Sequence, residues 1–259
     1  MLNANRQTEL AADFRRLHVR GDPLILFNVW DAGTARSVAA AGAKAIATSS
    51  WSVAAAQGYD DGQAMPWDAA LANLARIVAS VALPVTVDLE AGYGDAPAKV
   101  AGTVAAAIAA GAVGCNLEDQ IVGGEGLFSI GDQSTRIRAA REAAERTKVP
   151  AFINARTDLF LKAAPEQHNE ALLQQAIERT NAYADAGADG IFVPGLANEK
   201  WIAELCEASP LPVNIMSLAV EPTAKRLAEL GVARISHGPA PYWQTMKMLE
   251  AAARQAFAA

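Results

Sequence analysis

The residues best equipped for chemistry fall in short polar runs at regular offsets. Asp88 and Glu90 stand two apart, as do Asn116 and Glu118, and again Asn154 and Arg156, while Ser49, Ser50 and Trp51 follow an apolar AIAT run. In an extended chain residues i and i+2 share a face, so each pair is expected to point one way. Carboxylates brought together in one mouth repel, and they need either a cation or arginine between them. Oxygen donors without thiols or paired histidines suit a hard divalent ion, Mg2+ ahead of Mn2+. The competing arrangement is a structural ion-pair network with Arg156, which falls short because one arginine does not balance Asp88, Glu90 and Glu118. Asp60 and Asp61 in QGYDDG (57–62) offer further carboxylates or a solvated acidic loop. Gly92–Asp95 (GYGD) reads as a tight loop that brings backbone close to a ligand or merely turns.

Several chemistries are argued down. A Schiff-base enzyme on a barrel scaffold needs a lysine inside a strand, whereas Lys44, Lys99, Lys148, Lys162 and Lys225 fall in expected helices or loops. His18, His168 and His237 lack metal-ligand spacing; His18 and His168 read as surface residues, and His237 as a mouth-lining or a packed residue. Cys115 is one position off the inward Asn116 and is expected to face the helix layer, and Cys206 lies mid-helix. No GxGxxG or Walker loop occurs.

Positioning such residues requires a repeated scaffold. Short apolar runs recur at 24–29, 45–48, 85–88, 114–117, 151–155, 190–193, 213–216 and 234–236, separated by Ala-rich stretches such as Pro97–Ala110, Ser134–Thr147 and Glu166–Ala186. Pro23, Pro84, Pro150 and Pro212 precede the odd-numbered runs, and Gly42, Gly111, Gly187 and Gly231 the even-numbered ones. Proline presets an extended entry, and glycine closes a helix in the left-handed region. Four such quarter units predict an α/β fold of (βα)8 type, a TIM barrel, over residues 1–259 as a single domain, with residues 1–22 as an N-terminal capping helix. A doubly wound sheet is the alternative. The polar residues gather at the C-terminal strand ends, where barrel chemistry belongs: Asp31, Ser49–Trp51, Asp88, Glu90, Asn116, Glu118, Asp119, Asn154, Arg156, Asp158, Asn214, Ser236 and His237.

Composition narrows the class. Of 259 residues 52% are hydrophobic, with 22 Lys+Arg against 28 Asp+Glu for a net charge of −6. Disorder is excluded, and without a basic cluster nucleic acid is not an expected partner. Two cysteines make no disulfide framework, no secretory h-region opens the chain, and no long uncharged apolar stretch occurs, so a soluble, cytoplasmic protein without a membrane partner is expected.

On VDLEAGYGD (87–95), NLEDQ (116–120), the segment from TSSW to QGYDDG (48–62) and INARTD (153–158), the chain resembles the isocitrate lyase/phosphoenolpyruvate mutase superfamily over nearly its whole length. The resemblance implies a Mg2+-dependent enzyme for a 2-oxo acid or its enolate. Asp88 then matches the direct metal ligand, while Glu90, Glu118 and Asp61 match acids holding the metal or its waters. Glu90 stands where the family often has aspartate. Ser49, Ser50 and Trp51 match the segment receiving the substrate carboxylate or oxo group, and Arg156 the clamp on that carboxylate. Catalytic roles are expected for Asp61, Glu118 and Arg156, and substrate contact also for Asn214. One departure stands out: the lyases carry Lys-Cys-Gly-His after the fourth strand and the mutases Lys and Asn, whereas IVGGEGLFSIGD (121–132) has no Cys, Lys or His. Glu125 is the one acid left there, as a mobile acid/base or a solvated residue.

The expected activity is carbon–carbon cleavage or decarboxylation of a small 2-oxo or 2-hydroxy (di)carboxylate through a pyruvate-type enolate. The alternatives are an oxo-acid-binding protein with little turnover and C–P chemistry on a phosphonopyruvate-like substrate. The resemblance also implies a homo-oligomer, dimer or tetramer, with a swapped eighth helix.

Overall fold

The computed structural model describes residues 4–218 and 222–258. Its strands are β1 (Leu24–Leu26), β2 (Ile46–Ala47), β3 (Val85–Asp88), β4 (Gly114–Glu118), β5 (Phe152–Arg156), β6 (Gly190–Phe192), β7 (Val213–Met216) and β8 (Arg234–Ser236). All pair in parallel in the ring order β2 to β8 and then β1. A parallel bridge between Val29 and Thr48 brings the two ends together, with the Val29 N–H 2.9 Å from the Ala47 carbonyl oxygen. The sheet is thus a nearly closed TIM-like barrel. A doubly wound sheet would leave two open edges far apart.

The helices are α1 (Ala4–Arg16), α2 (Ala32–Ala40), α3 (Ser50–Ala56), α4 (Trp67–Ser80), α5 (Pro97–Ala109), α6 (Ile130–Thr147), α7 (Leu159–Lys162), α8 (Glu170–Asp185), α9 (Glu199–Ala208), α10 (Ala224–Glu229) and α11 (Ala240–Phe257). Three differ from the expected bounds: α1 ends at Arg16, short of residue 22, and two others differ for capping reasons. Helix α6 starts four residues earlier than Ser134, because the Ser129 hydroxyl accepts from the Asp132 N–H at 3.1 Å. Helix α8 starts only at Glu170, where Asn169 accepts from the Leu172 N–H at 3.0 Å. Among the described residues no helix is long and apolar enough to cross a membrane.

Inside the barrel, large and small residues alternate. A Cβ on Gly114 would come within 2.9 Å of the Phe152 carbonyl oxygen, and one on Gly190 within 2.7 Å of Asn154 Oδ1, so Gly114 lets the β5 backbone approach and Gly190 makes room for β5 side chains. Helix α1 lies beneath: Gln7 donates to the carbonyls of Ile108 and Ala112 at 2.7 and 2.9 Å, and Phe14 is fully buried. Here the surface expectation for His18 fails. Its ring stacks on Phe152 at 4.1 Å and its Nδ1 lies 2.8 Å from the Phe14 carbonyl oxygen, because the barrel bottom needs a flat apolar plug with one polar edge. His168 is likewise half-buried, edge-on to Phe160 with Nε2 3.0 Å from its carbonyl oxygen.

The eighth helix does not cover its own barrel. From Trp243 to Ala258 only Met246 and Ala253 of α11 are even half-buried. Correspondingly, Ile25 and Phe27 on the outer side of the first strand segment are 48% and 45% exposed, beside a groove of about 730 Å3.

Candidate active site

The mouth at the C-terminal strand ends holds a cavity of about 250 Å3. Ser49, Ser50, Trp51, Asp61, Asp88 and Arg156, arriving from four chain segments, all line it. Ser49 caps α3, and this turn directs Ser50 at Asp88: the Ser50 hydroxyl donates to Oδ2 at 2.9 Å and its N–H lies 3.4 Å from the same oxygen. The Trp51 ring packs edge-on to Tyr242 and Trp243 at 5.7 and 5.4 Å, forming an aromatic wall with the start of α11.

Arg156 is the hub. Asp158 accepts from Nε and Nη2 at 2.6 and 2.9 Å, Glu118 pairs with Nη1 at 2.9 Å, and Asp88 lies 3.8 Å from Nη1. Burial opposes the guanidinium charge, but Glu118, Asp158 and Asp88 outweigh it and hold Arg156 firmly protonated. The remaining N–H groups on Nη1 and Nη2 have no hydrogen-bonded partner among the described residues, an arrangement that can take a carboxylate at the end of the fork. Glu118 is buried behind Arg156 and does not border the cavity; burial pushes its carboxyl well up despite the guanidinium.

Glu90 departs from the expected geometry. Strand β3 ends at Asp88, and Glu90 takes φ +50°, so strand alternation does not carry its side chain into the mouth. Its carboxylate instead accepts from the Gln63 N–H at 2.6 Å and lines a small chamber on the far side of Asp88, with Tyr93 and Thr48. Asp88 borders both spaces. Burial, then Asp88 and Asp61, pushes the Glu90 carboxyl up to about 7. Asp61, at the solvent edge, is raised by desolvation first and Asp88 second.

Asn214 also lies elsewhere. It is buried below the floor, exchanging hydrogen bonds with Ser236 at 3.2 Å, and reaches the cavity only through that hydroxyl. His237 is a packed residue: its N–H donates to Asn28 Oδ1 at 3.0 Å, its ring sits 5.4 Å from Phe27, and burial lowers its pKa. Glu125 is exposed in the turn closed by the Gln120–Leu127 bridge.

Asp119, expected at the mouth without an assigned role, and three residues not expected there, Arg179, Tyr183 and Arg136, complete the site. Asp119 accepts from the Asp158 N–H at 3.0 Å, the Tyr183 hydroxyl at 2.8 Å and Arg179 at 2.9 Å, fixing the segment that grips Arg156. Arg179 and Tyr183 stand four apart on α8, a spacing that places them on one face but does not mark them in sequence. Arg136, fully buried on α6, donates to the carbonyls of Ala91, Gly94 and Asp95 and so holds the GYGD loop shut.

Among the described residues no three carboxylates, histidines or cysteines close on a common point. Mg2+ does not require that, since one or two carboxylates with water in the other positions suffice. Asp88, bordering both spaces with Asp61 and Glu90 as raised, mutually repelling neighbours, is an all-oxygen donor set short of positive charge, and it fits such an ion.

The signature of the phosphoenolpyruvate phosphomutase family matches residues 14–257. The chain belongs to that family. A Mycobacterium tuberculosis H37Rv protein of uncharacterized function is 37% identical over 230 residues, 88% of this chain and 83% of that protein. The 2-methylisocitrate lyase of Escherichia coli K12 is 31% identical over 219 residues, covering 81% and 71%. A crystallised Burkholderia cenocepacia J2315 protein, provisionally described as a phosphonomutase, is 56% identical with a TM-score of 0.94, covering 96% of this chain and 99% of that one. At 22% identity, a phosphonopyruvate hydrolase solved with oxalate and Mg2+ shares the fold, with a TM-score of 0.81, covering 96% and 86%. The superfamily comprises lyases, hydrolases and mutases acting on small carboxylates.

Proposed function

We propose that the protein is a Mg2+-dependent carbon–carbon lyase for a small 2-oxo or 2-hydroxy dicarboxylate, working through a pyruvate-type enolate. The observation that carries this reading is the Arg156 fork, gripped from behind by Asp158 and Glu118 and open towards a cavity that Asp88 and Ser50 share. Mg2+ at Asp88 would supply positive charge where the oxo oxygen becomes an enolate. Arg156 orients the carboxylate beside the oxo group, and the Trp51–Trp243 wall limits water. Decarboxylation asks least of residues 121–132: the bond to the departing carboxylate breaks, its electron pair becomes the enolate, and no proton is first removed from carbon. Glu125, exposed on its turn, is not needed for that step.

The test incubates the protein with pyruvate in D2O, with Mg2+ or with EDTA, and follows the methyl protons by NMR. Exchange that requires Mg2+ and disappears in Asp88→Ala supports the enolate reading. Tight oxo-acid binding without exchange, and without turnover of a dicarboxylate panel, replaces it with a binding protein. The same reading extends to assembly: α11 of a second copy covers the outer side of β1, and the reverse, in a homo-oligomer.

A further inference from the structure

Beneath the cavity floor the barrel interior is polar where a TIM barrel is usually packed with branched apolar residues. Arg234 enters this space from the start of β8 and is fully buried. It has no ion pair among the described residues, although burial pushes its guanidinium down to about 9 and Asp88 is the largest influence opposing that. Its Nη2 donates to Asn116 Oδ1 at 3.2 Å, and its Nε lies 3.4 Å from the Ser236 hydroxyl. Asn154 Nδ2 donates to the same Asn116 oxygen at 2.9 Å. Asn116 Nδ2 has no hydrogen-bonded partner among the described residues, and Asn116 and Ser236 both line the cavity.

The direction of this network has a single source. Two facing asparagine amides are reversible, because each can turn over and exchange donor for acceptor. Arginine has donors only, so it accepts one orientation of its neighbour. With Arg234 below, Asn116 must turn its oxygen down and its NH2 group up, and Asn154 must then present Nδ2.

We propose that Arg234 is a positioning residue that fixes the Asn116 amide with its NH2 towards the cavity, so that the floor offers donors to an oxygen of a bound oxo acid. The ligand part of this rests on the oxo-acid reading above; the orientation of Asn116 does not. A buried cation without a carboxylate partner also leaves the floor positive, opposite the acids at the rim. An oxo acid would therefore be met by Arg156 at one end and by the Asn116 amide below.

Calorimetry with oxalate in the presence of Mg2+ tests the proposal, alongside NMR of protein carrying 15N-asparagine. Arg234→Gln, whose own amide can turn over, should weaken oxalate about tenfold or more, and Asn116→Ala similarly. The double variant should bind no more weakly than Asn116→Ala alone. Arg234→Lys, still donor-only, should restore binding to within about threefold of the parent. Asn116→Asp keeps a partner for Arg234 but shows the cavity an oxygen, and it should lose oxalate even if Arg234→Gln fails to fold. Without ligand, the side-chain NH2 signals missing in Asn116→Ala should move in Arg234→Gln and stay in Arg234→Lys. Parental oxalate affinity in Arg234→Gln or Asn116→Asp, or additive losses in the double variant, would overturn the proposal. A parent that ignores oxalate while those NH2 signals still move in Arg234→Gln sinks the oxo-acid reading and leaves the orienting role standing.

Discussion

Arg156 shows how much of this site depends on shape rather than charge. Its Nε–Nη2 edge makes a bidentate pair with Asp158 while Nη1 faces Glu118, so one planar group is anchored on two sides and open on the third. A lysine would keep the charge but could not serve both anchors and still present a fork. Arg156→Lys should therefore weaken oxalate by about tenfold or more, measured by calorimetry, with the fold retained. Glu90 gives a second expectation, of pH. Its carboxyl, raised to about 7 by burial and by Asp88 and Asp61, holds a proton that a divalent cation beside it must displace. Mg2+ affinity should rise by up to about tenfold per pH unit between pH 5 and 7, then flatten, and Glu90→Gln should remove that slope. A slope unchanged in Glu90→Gln would show that the ion does not sense this carboxylate.

At the scale of elements, the repeat of proline and glycine before successive strands made eight parallel βα units legible, because each device answers a local backbone need. The left-handed φ at Gly42, Gly111, Gly187 and Gly231 is what that pattern implies. The cluster of Ser49, Ser50, Asp88 and Arg156 at one mouth was legible for the same reason, since strand ends fix it. Glu90 was not, because a left-handed residue after β3 breaks the alternation, and no local signal separates it from an extended one. Nor was Asn214, whose inward direction is right but whose depth depends on where β7 sits along the barrel axis. Arg234 carries no sequence signal either, since a charged residue at a strand start reads as solvated unless the register is known. His18, read as a surface residue, belongs to the seam between α1 and the barrel bottom. Burial, then Arg234, lowers its pKa to about 3, while in the unfolded chain it titrates near 6.5. Between those values the unfolded chain binds the extra proton, so this contribution to stability is complete above pH 6.5 and is lost as the pH falls towards 3. In chemical denaturation, His18→Gln should be less stable than the parent at pH 7 by on the order of 1–3 kcal/mol, and the gap should narrow steadily towards pH 4. A constant gap would place His18 outside the seam.

At the scale of the whole molecule, the structure has one helix too many on the outside and one covering too few. Outward side chains of barrel strands are normally sealed by a helix layer. Yet Ile25 and Phe27 are about half exposed, while Met248, Leu249 and Phe257 on α11 are 72%, 61% and 88% exposed. An isolated chain would leave both apolar surfaces in water, and a contiguous patch of that kind marks an interface. In the proposed assembly each chain carries both halves of one contact, which is the condition for a closed two-fold exchange of an element. The start of α11 is held on its own barrel by Trp51 and Trp30 against Tyr242, so the direction in which the helix leaves is fixed and the site wall is built from the same element. Sealing the exposed half of Phe27 alone is worth roughly 1 kcal/mol per copy. Sedimentation velocity should then show a dimer or a multiple of it. Phe27→Asp, on the groove, and Leu249→Asp, on the helix, should each shift the population towards monomer, because the same contact is broken from either side. If both variants sediment as the parent does, α11 has a different cover. If only Leu249→Asp dissociates, the helix docks on some surface other than the outer side of β1.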